Sequence, residues 1–167
     1  MAPIDHYINT IIERGADEAR EDGSAVIEAR HLLLGMATLR DADTRDAVVH
    51  EALASAGLDH RAIREALDKE YEHSLGAAGV SPATFGHLPE PSRSPERPSQ
   101  LGASAKLALE RGFSCVARKK DLRPGHLLLG VLRAEAGTVP RALTLAGIDR
   151  EGLMERLQRA LAQETPA

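Results

Sequence analysis

Apolar positions spaced three and four residues apart run through most of this chain, the mark of helices that bury one face. In 60–74, Ile63, Leu67 and Tyr71 follow at every fourth position, and in 150–163 Leu153, Leu157 and Leu161 do the same. Two shorter segments differ. Leu32, Leu33, Leu34, Met36 and Leu39, and again Leu127, Leu128, Leu129, Val131 and Leu132, leave no polar face. A helix apolar all round belongs at the centre of a bundle. Gly35 and Gly130 interrupt these two helices at a cost in helix propensity, which predicts close approach of a neighbouring backbone at both points.

The two central segments are copies. His31-Leu32-Leu33-Leu34-Gly35 recurs as His126-Leu127-Leu128-Leu129-Gly130, and Ala56-Gly57-Leu58-Asp59 recurs in the same order as Ala146-Gly147-Ile148-Asp149. Two ordered matches define a duplicated unit. Each unit reads as four helices: 4–22, 30–40, 44–56 and 60–74, then 101–118, 124–134, 139–146 and 150–163. Gly57 and Gly147 stand where a helix should stop, and Asp59 and Asp149 follow as caps of the next one. The expected fold is all-α: two four-helix repeats, 1–75 and 100–167, in a pseudo-twofold bundle of about eight helices forming one compact domain. Between them, 76–99 holds five of the nine prolines, Pro82, Pro89, Pro91, Pro95 and Pro98, together with four serines, and reads as an extended linker.

Composition narrows the picture. The chain has 167 residues, 43% of them apolar but only 2% aromatic, with no Trp, so its core is built from Leu, Ala, Ile and Val. No apolar run is long enough to span a membrane, and the amino terminus lacks a signal-like stretch, so a cytoplasmic protein is expected. The lone Cys115 cannot form an internal disulfide. Residues 1–74 carry 8 basic and 16 acidic side chains, a net −8, whereas 75–167 carry 13 and 9, a net +4. Opposite signs favour packing of one half on the other, and a scattered basic content argues against nucleic-acid binding.

The repeated motif, a helix opening His-Leu-Leu-Leu-Gly and a short helix ending in Ala-Gly-(Leu/Ile)-Asp, resembles the double Clp N-terminal repeat of Clp-type unfoldases across nearly the whole chain outside the linker. The resemblance implies a pseudo-twofold helical domain that recruits adaptors and substrates to a protease complex and carries no catalytic centre or cofactor. Matching first helices places a binding groove between the repeats at Ile4, Tyr7 and Ile8 in one and at Leu101, Ala105 and Lys106 in the other, and Arg30 is assigned to the same groove. Partners would be proteins or peptides of the Clp protease system, with a cyclic peptide ligand as the alternative, and neither nucleic acid nor membrane. Family members that recognise phosphoarginine place a glutamate before the histidine; here Arg30 and Gly125 stand there, so phosphoarginine is expected to bind poorly. A phosphate-binding loop needs glycine before its lysine. Lys69, Lys106, Lys119 and Lys120 follow Asp, Ala, Arg and Lys, so a free-standing domain without an ATPase module is expected.

Other chemistry has little support. His31 and His126 open the central helices and read as structural, bonded to helix ends, like the glycines Gly35 and Gly130 that follow them. His50-Glu51 has Ala54 where a zinc motif needs histidine, and His60, His73 and His87 lie on polar segments and read as solvated, so no metal is expected. Cys115 is placed in the first helix of the second repeat, as a buried small residue or, if exposed among basic neighbours, a redox-sensitive thiol. Gly102-Ala103-Ser104-Ala105-Lys106 lacks the last glycine of a nucleophile elbow. The basic run Arg118, Lys119, Lys120, Arg123 is either an anion contact before a helix start or a solvated helix end. Asp41, Asp43 and Asp46 form an acidic run with the same two readings. Limited proteolysis is expected to cut first within 76–99; first cleavage inside either repeat would overturn this division of the chain.

Overall fold

The computed structural model describes residues 2–39, 47–79 and 96–164, which form eight α-helices and one 3-10 turn. The first half contains α1 (Pro3–Asp22), α2 (Ala29–Thr38), α3 (Val48–Ser55) and α4 (His60–Ala77). The second contains α5 (Ala103–Phe113), the 3-10 turn Lys119–Asp121, α6 (Pro124–Leu132), α7 (Thr138–Leu145) and α8 (Arg150–Glu164). The all-α expectation holds. The acidic run Asp41, Asp43 and Asp46, His87 and most of the linker fall outside the described residues.

Local signals act as read from the sequence. Gly57 and Gly147 adopt left-handed φ values of 70° and 73°. The Asp59 carboxylate accepts from the Ala62 N–H at 2.7 Å, and Asp149 accepts from Gly152 at 3.1 Å. Arg150 donates to the Leu132 and Ala134 carbonyls, both at 2.7 Å, placing a cation on the end of α6.

Two boundaries are corrected. The first helix of the second half ends at Phe113, not 118, so Cys115 sits half-buried in a turn. There the Ser114 hydroxyl donates to the Glu110 carbonyl at 2.8 Å, and the Cys115 N–H turns back to Gly112. Helix α4 runs to Ala77, two residues past the expected end of the repeat.

Packing exchanges elements between the halves. Helices α1 and α2 pair closely, as do α5 and α6. Then α4 of the first half lies on α7 of the second, while α8 lies on α3 of the first and on α6, a reciprocal arrangement that makes one continuous core. Leu33 and Leu128 are fully buried at its centre. The stripe in α8 is buried throughout, but in α4 Tyr71 is 62% exposed, and the inward face is Ile63, Ala66 and Glu70. Eight residues carry a helix about 80° past whole turns. Helix α8 is covered from three sides, by α3, α6 and α7, which takes up that drift; along α4, packed on α2 and α7, the inward position passes to Glu70, which pairs with Arg141 of α7 at 2.9 Å.

The glycine expectation is met. A Cβ on Gly35 would lie 3.1 Å from the Ile11 carbonyl oxygen, and one on Gly130 only 2.1 Å from that of Ala108. Gly112, on the facing helix α5, itself leaves room for the His126 carbonyl. Replacing Leu33 or Leu128 by alanine should cost about 2–5 kcal/mol each, and Gly130→Ala should lower the melting temperature more than Gly35→Ala; wild-type melting in the leucine variants would show that these helices are not the core.

Candidate functional site: pockets between and beside the two halves

Helix α1 ends at Gly23, whose φ of 77° turns the chain into the connection leading to α2. His31, with no solvent-exposed surface, organises this corner. Its Nδ1 accepts the Glu28 N–H at 2.8 Å, which leaves Nε2 protonated to donate to Asp22 Oδ2 at 2.7 Å. Ser24 donates to the other carboxylate oxygen, and Arg30 Nη2 reaches Ser24 Oγ at 2.9 Å and Asp22 at 3.4 Å. Partial burial pushes the Asp22 carboxyl up, but the bonds from His31 and Ser24, with the Arg30 charge, outweigh it and bring the pKa down to about 2. His126 makes the matching bond, its Nδ1 accepting from the Arg123 N–H at 3.0 Å.

The same connection meets the second half. Ile27 and Leu101 form an isolated parallel bridge. The Ala29 N–H donates to Ser104 Oγ at 2.8 Å, and Ser104 in turn donates to the Glu28 carboxylate. A Cβ on Gly102 would lie 2.1 Å from that carboxylate, which would have to shift aside. Above this junction a pocket of about 460 Å³ opens between the halves. Leu107, Val131, Val139 and Pro140 supply apolar wall, and Arg30 and Arg111 supply cations. Leu107 is 46% exposed.

A second pocket, about 410 Å³, lies beside α1 where α5 gives way to the 3-10 turn. Ile8, Phe113, Val116 and Leu122 line it, with Asp5, Arg118 and Lys119 among the polar groups. Lys119 Nζ meets Asp5 Oδ1 at 2.7 Å and holds the Asp5 carboxyl below its usual range, while Arg118 pairs with Asp121 at 3.0 Å.

The residues expected to form one groove are therefore distributed. Ile4, Tyr7 and Ala105 are core side chains and offer almost no surface to a ligand, because α1 packs along α2, and α5 packs on α6 and α2. Ile8 lines the pocket beside α1, and Arg30 lines the one between the halves. Leu101 sits half-buried in the bridge, and Lys106 is exposed on α5. Of the basic run, Arg118 and Lys119 are ion-paired, Lys120 is exposed, and Arg123 caps α6. Gly125 faces the core, where a Cβ would press on Leu161 at 2.7 Å. His60, read as solvated, instead pairs with the buried Glu18 at 2.6 Å, which Arg64 also engages. Cys115 Sγ accepts from Arg133 at 3.3 Å and donates to the Arg111 carbonyl.

Sequence reasoning did not single out Leu107, Arg111 or Asp22, and weighed Ser104 only as a nucleophile. Ser104, Leu107 and Arg111 share the three- and four-residue spacing of one face of α5, a signal available in the sequence; Asp22 carried none, since it meets His31 only through the fold. Among the described residues no three metal-ligating side chains converge, and no helix is long and apolar enough to cross a membrane. No protein-family model matches this sequence, and no curated protein matches it.

Asp22 titrates lower in the folded chain than its ordinary 3.8, so its bonds stabilise the fold above about pH 4 and that contribution is lost as pH falls toward 2. Asp22→Asn should flatten the decline of melting temperature across this window, and a decline as steep as wild type would show that the His31 corner is not the acid-sensitive element.

Proposed function

We propose that this chain is a non-catalytic peptide-binding module of the kind its resemblance to Clp N-terminal repeats implies, receiving partner or substrate segments of a Clp-type protease system between its halves. The observation that carries this reading is the pocket built from both halves, with a half-exposed Leu107 in its wall and the Arg30 and Arg111 guanidiniums beside it. An apolar side chain fills such a wall, and a carboxylate near it meets the two arginines. A compact cyclic peptide would meet the same apolar surface, but two arginines against the one Glu28 carboxylate in the lining favour the carboxylate-bearing ligand. Binding without chemistry fits His31, both of whose ring nitrogens are committed to structural bonds.

Arg30 also bears on phosphoarginine, since it sets a positive charge where a ligand guanidinium would need a carboxylate. Titration calorimetry should detect an apolar, carboxylate-bearing peptide, and Arg30→Glu or Leu107→Asp should weaken it at least about tenfold. Free phosphoarginine should give no heat. Micromolar binding of phosphoarginine by the wild-type protein, or peptide binding indifferent to both substitutions, would sink the reading.

A further inference from the structure

We propose that the pocket beside α1 is a second docking site, which takes an acidic peptide segment carrying one large apolar side chain. The site is formed by the unexpected end of α5. Because that helix stops at Phe113, its last side chain is left 45% exposed in the wall of an open pocket, one of only two phenylalanines in the chain. Ile8, Val116, Ala117 and Leu122 continue the wall, giving an apolar hollow of about 410 Å³. That volume admits a leucine or phenylalanine side chain with room for the backbone that bears it.

The polar groups around the hollow select the flanking residues. Arg118 and Lys119 line the hollow and Lys120 follows them in the 3-10 turn, against two carboxylates, Asp5 in the lining and Asp121 in the turn. Lys120 is exposed and has no ion-pair partner among the described residues. Arg118 is 66% exposed, and its pairing with Asp121 is a surface contact between near neighbours in the chain, which a better-placed carboxylate can replace at little cost. The positive excess attracts acidic segments and opposes basic ones, while the apolar hollow rewards a segment that also presents a large side chain. This site does not rest on the pocket between the halves: it uses the opposite first helix and a different connection.

Fluorescence anisotropy with three labelled peptides tests the proposal: a leucine flanked on both sides by Asp and Glu, the same leucine flanked by lysines, and the acidic peptide with glycine for leucine. The first should bind, with affinity falling as salt is raised, and the other two should bind at least about tenfold more weakly. Phe113→Ser and Lys120→Glu, both at exposed positions and checked for wild-type melting, should each weaken the first peptide about fivefold or more, and the effect should persist in a Leu107→Asp background. Failure of the acidic peptide to bind, or binding unmoved by both substitutions, would overturn the site. Loss on Leu107→Asp alone would move the peptide to the pocket between the halves and equally overturn it.

Discussion

The contact of the Ala108 carbonyl with the bare α-carbon of Gly130 fixes how α5 and α6 sit, and most of the molecule depends on it. No side chain fits between helices whose backbones come this close, so their separation is set by glycine and cannot relax by choice of rotamer. Glycine in a helix costs up to about 1 kcal/mol, offset here by the dense contact that the missing Cβ permits. With α5 pressed against one side of α6, the remaining sides are open to α3, α7 and α8, and the run Leu127, Leu128, Leu129 fills all of them. Gly35 against Ile11 does the same for α1 and α2 with more slack.

Charge selects what the apolar core then stabilises. Asp5 with Lys119 and Glu70 with Arg141 join the halves, Asp17 with Arg97 ties down the end of the linker, and in each pair the acid comes from the first half and the base from beyond it. This is the charge asymmetry of the sequence realised as contacts. The exposed pair of Asp17 and Arg97 adds little stability. Glu70 differs, because a buried carboxylate requires a partner, and Arg141 together with the Ser74 hydroxyl supplies it. Such pairs oppose like-on-like packing of halves more than they strengthen the correct one.

What the sequence made legible follows from how local each signal is. The helix stops at Gly57 and Gly147, the caps at Asp59 and Asp149, and the glycines of the central helices are each decided by a few neighbours, and each acts as read. The exposure of Tyr71 was not legible, because an apolar spacing does not say how many neighbouring helices will cover it. The end of α5 at Phe113 was hidden for a related reason: the apolar pattern continues through Val116 and Ala117, yet the chain must turn there to bring α6 back. The groove residues fared least well. Matching positions by helix order put Ile4, Tyr7 and Ala105 at a surface, whereas all three are drawn into the common core.

Both pockets lie at corresponding places in the duplication, each pairing the connection between one half's first and second helices with the first helix of the other half. The central helices that follow these connections share five successive residues, because the glycine contact and the crowded core leave little choice. The connections are under no such constraint, and they have diverged. In one, Asp22 and Ser24 brace His31 and bring Arg30 to the pocket; in the other, Ala117 stands 95 residues after Asp22, and the corner is built from Phe113 and a lysine-bearing turn instead. A duplicated core thus presents two unlike surfaces from one architecture, since the backbone contact that dictates the helices ends where the connections begin.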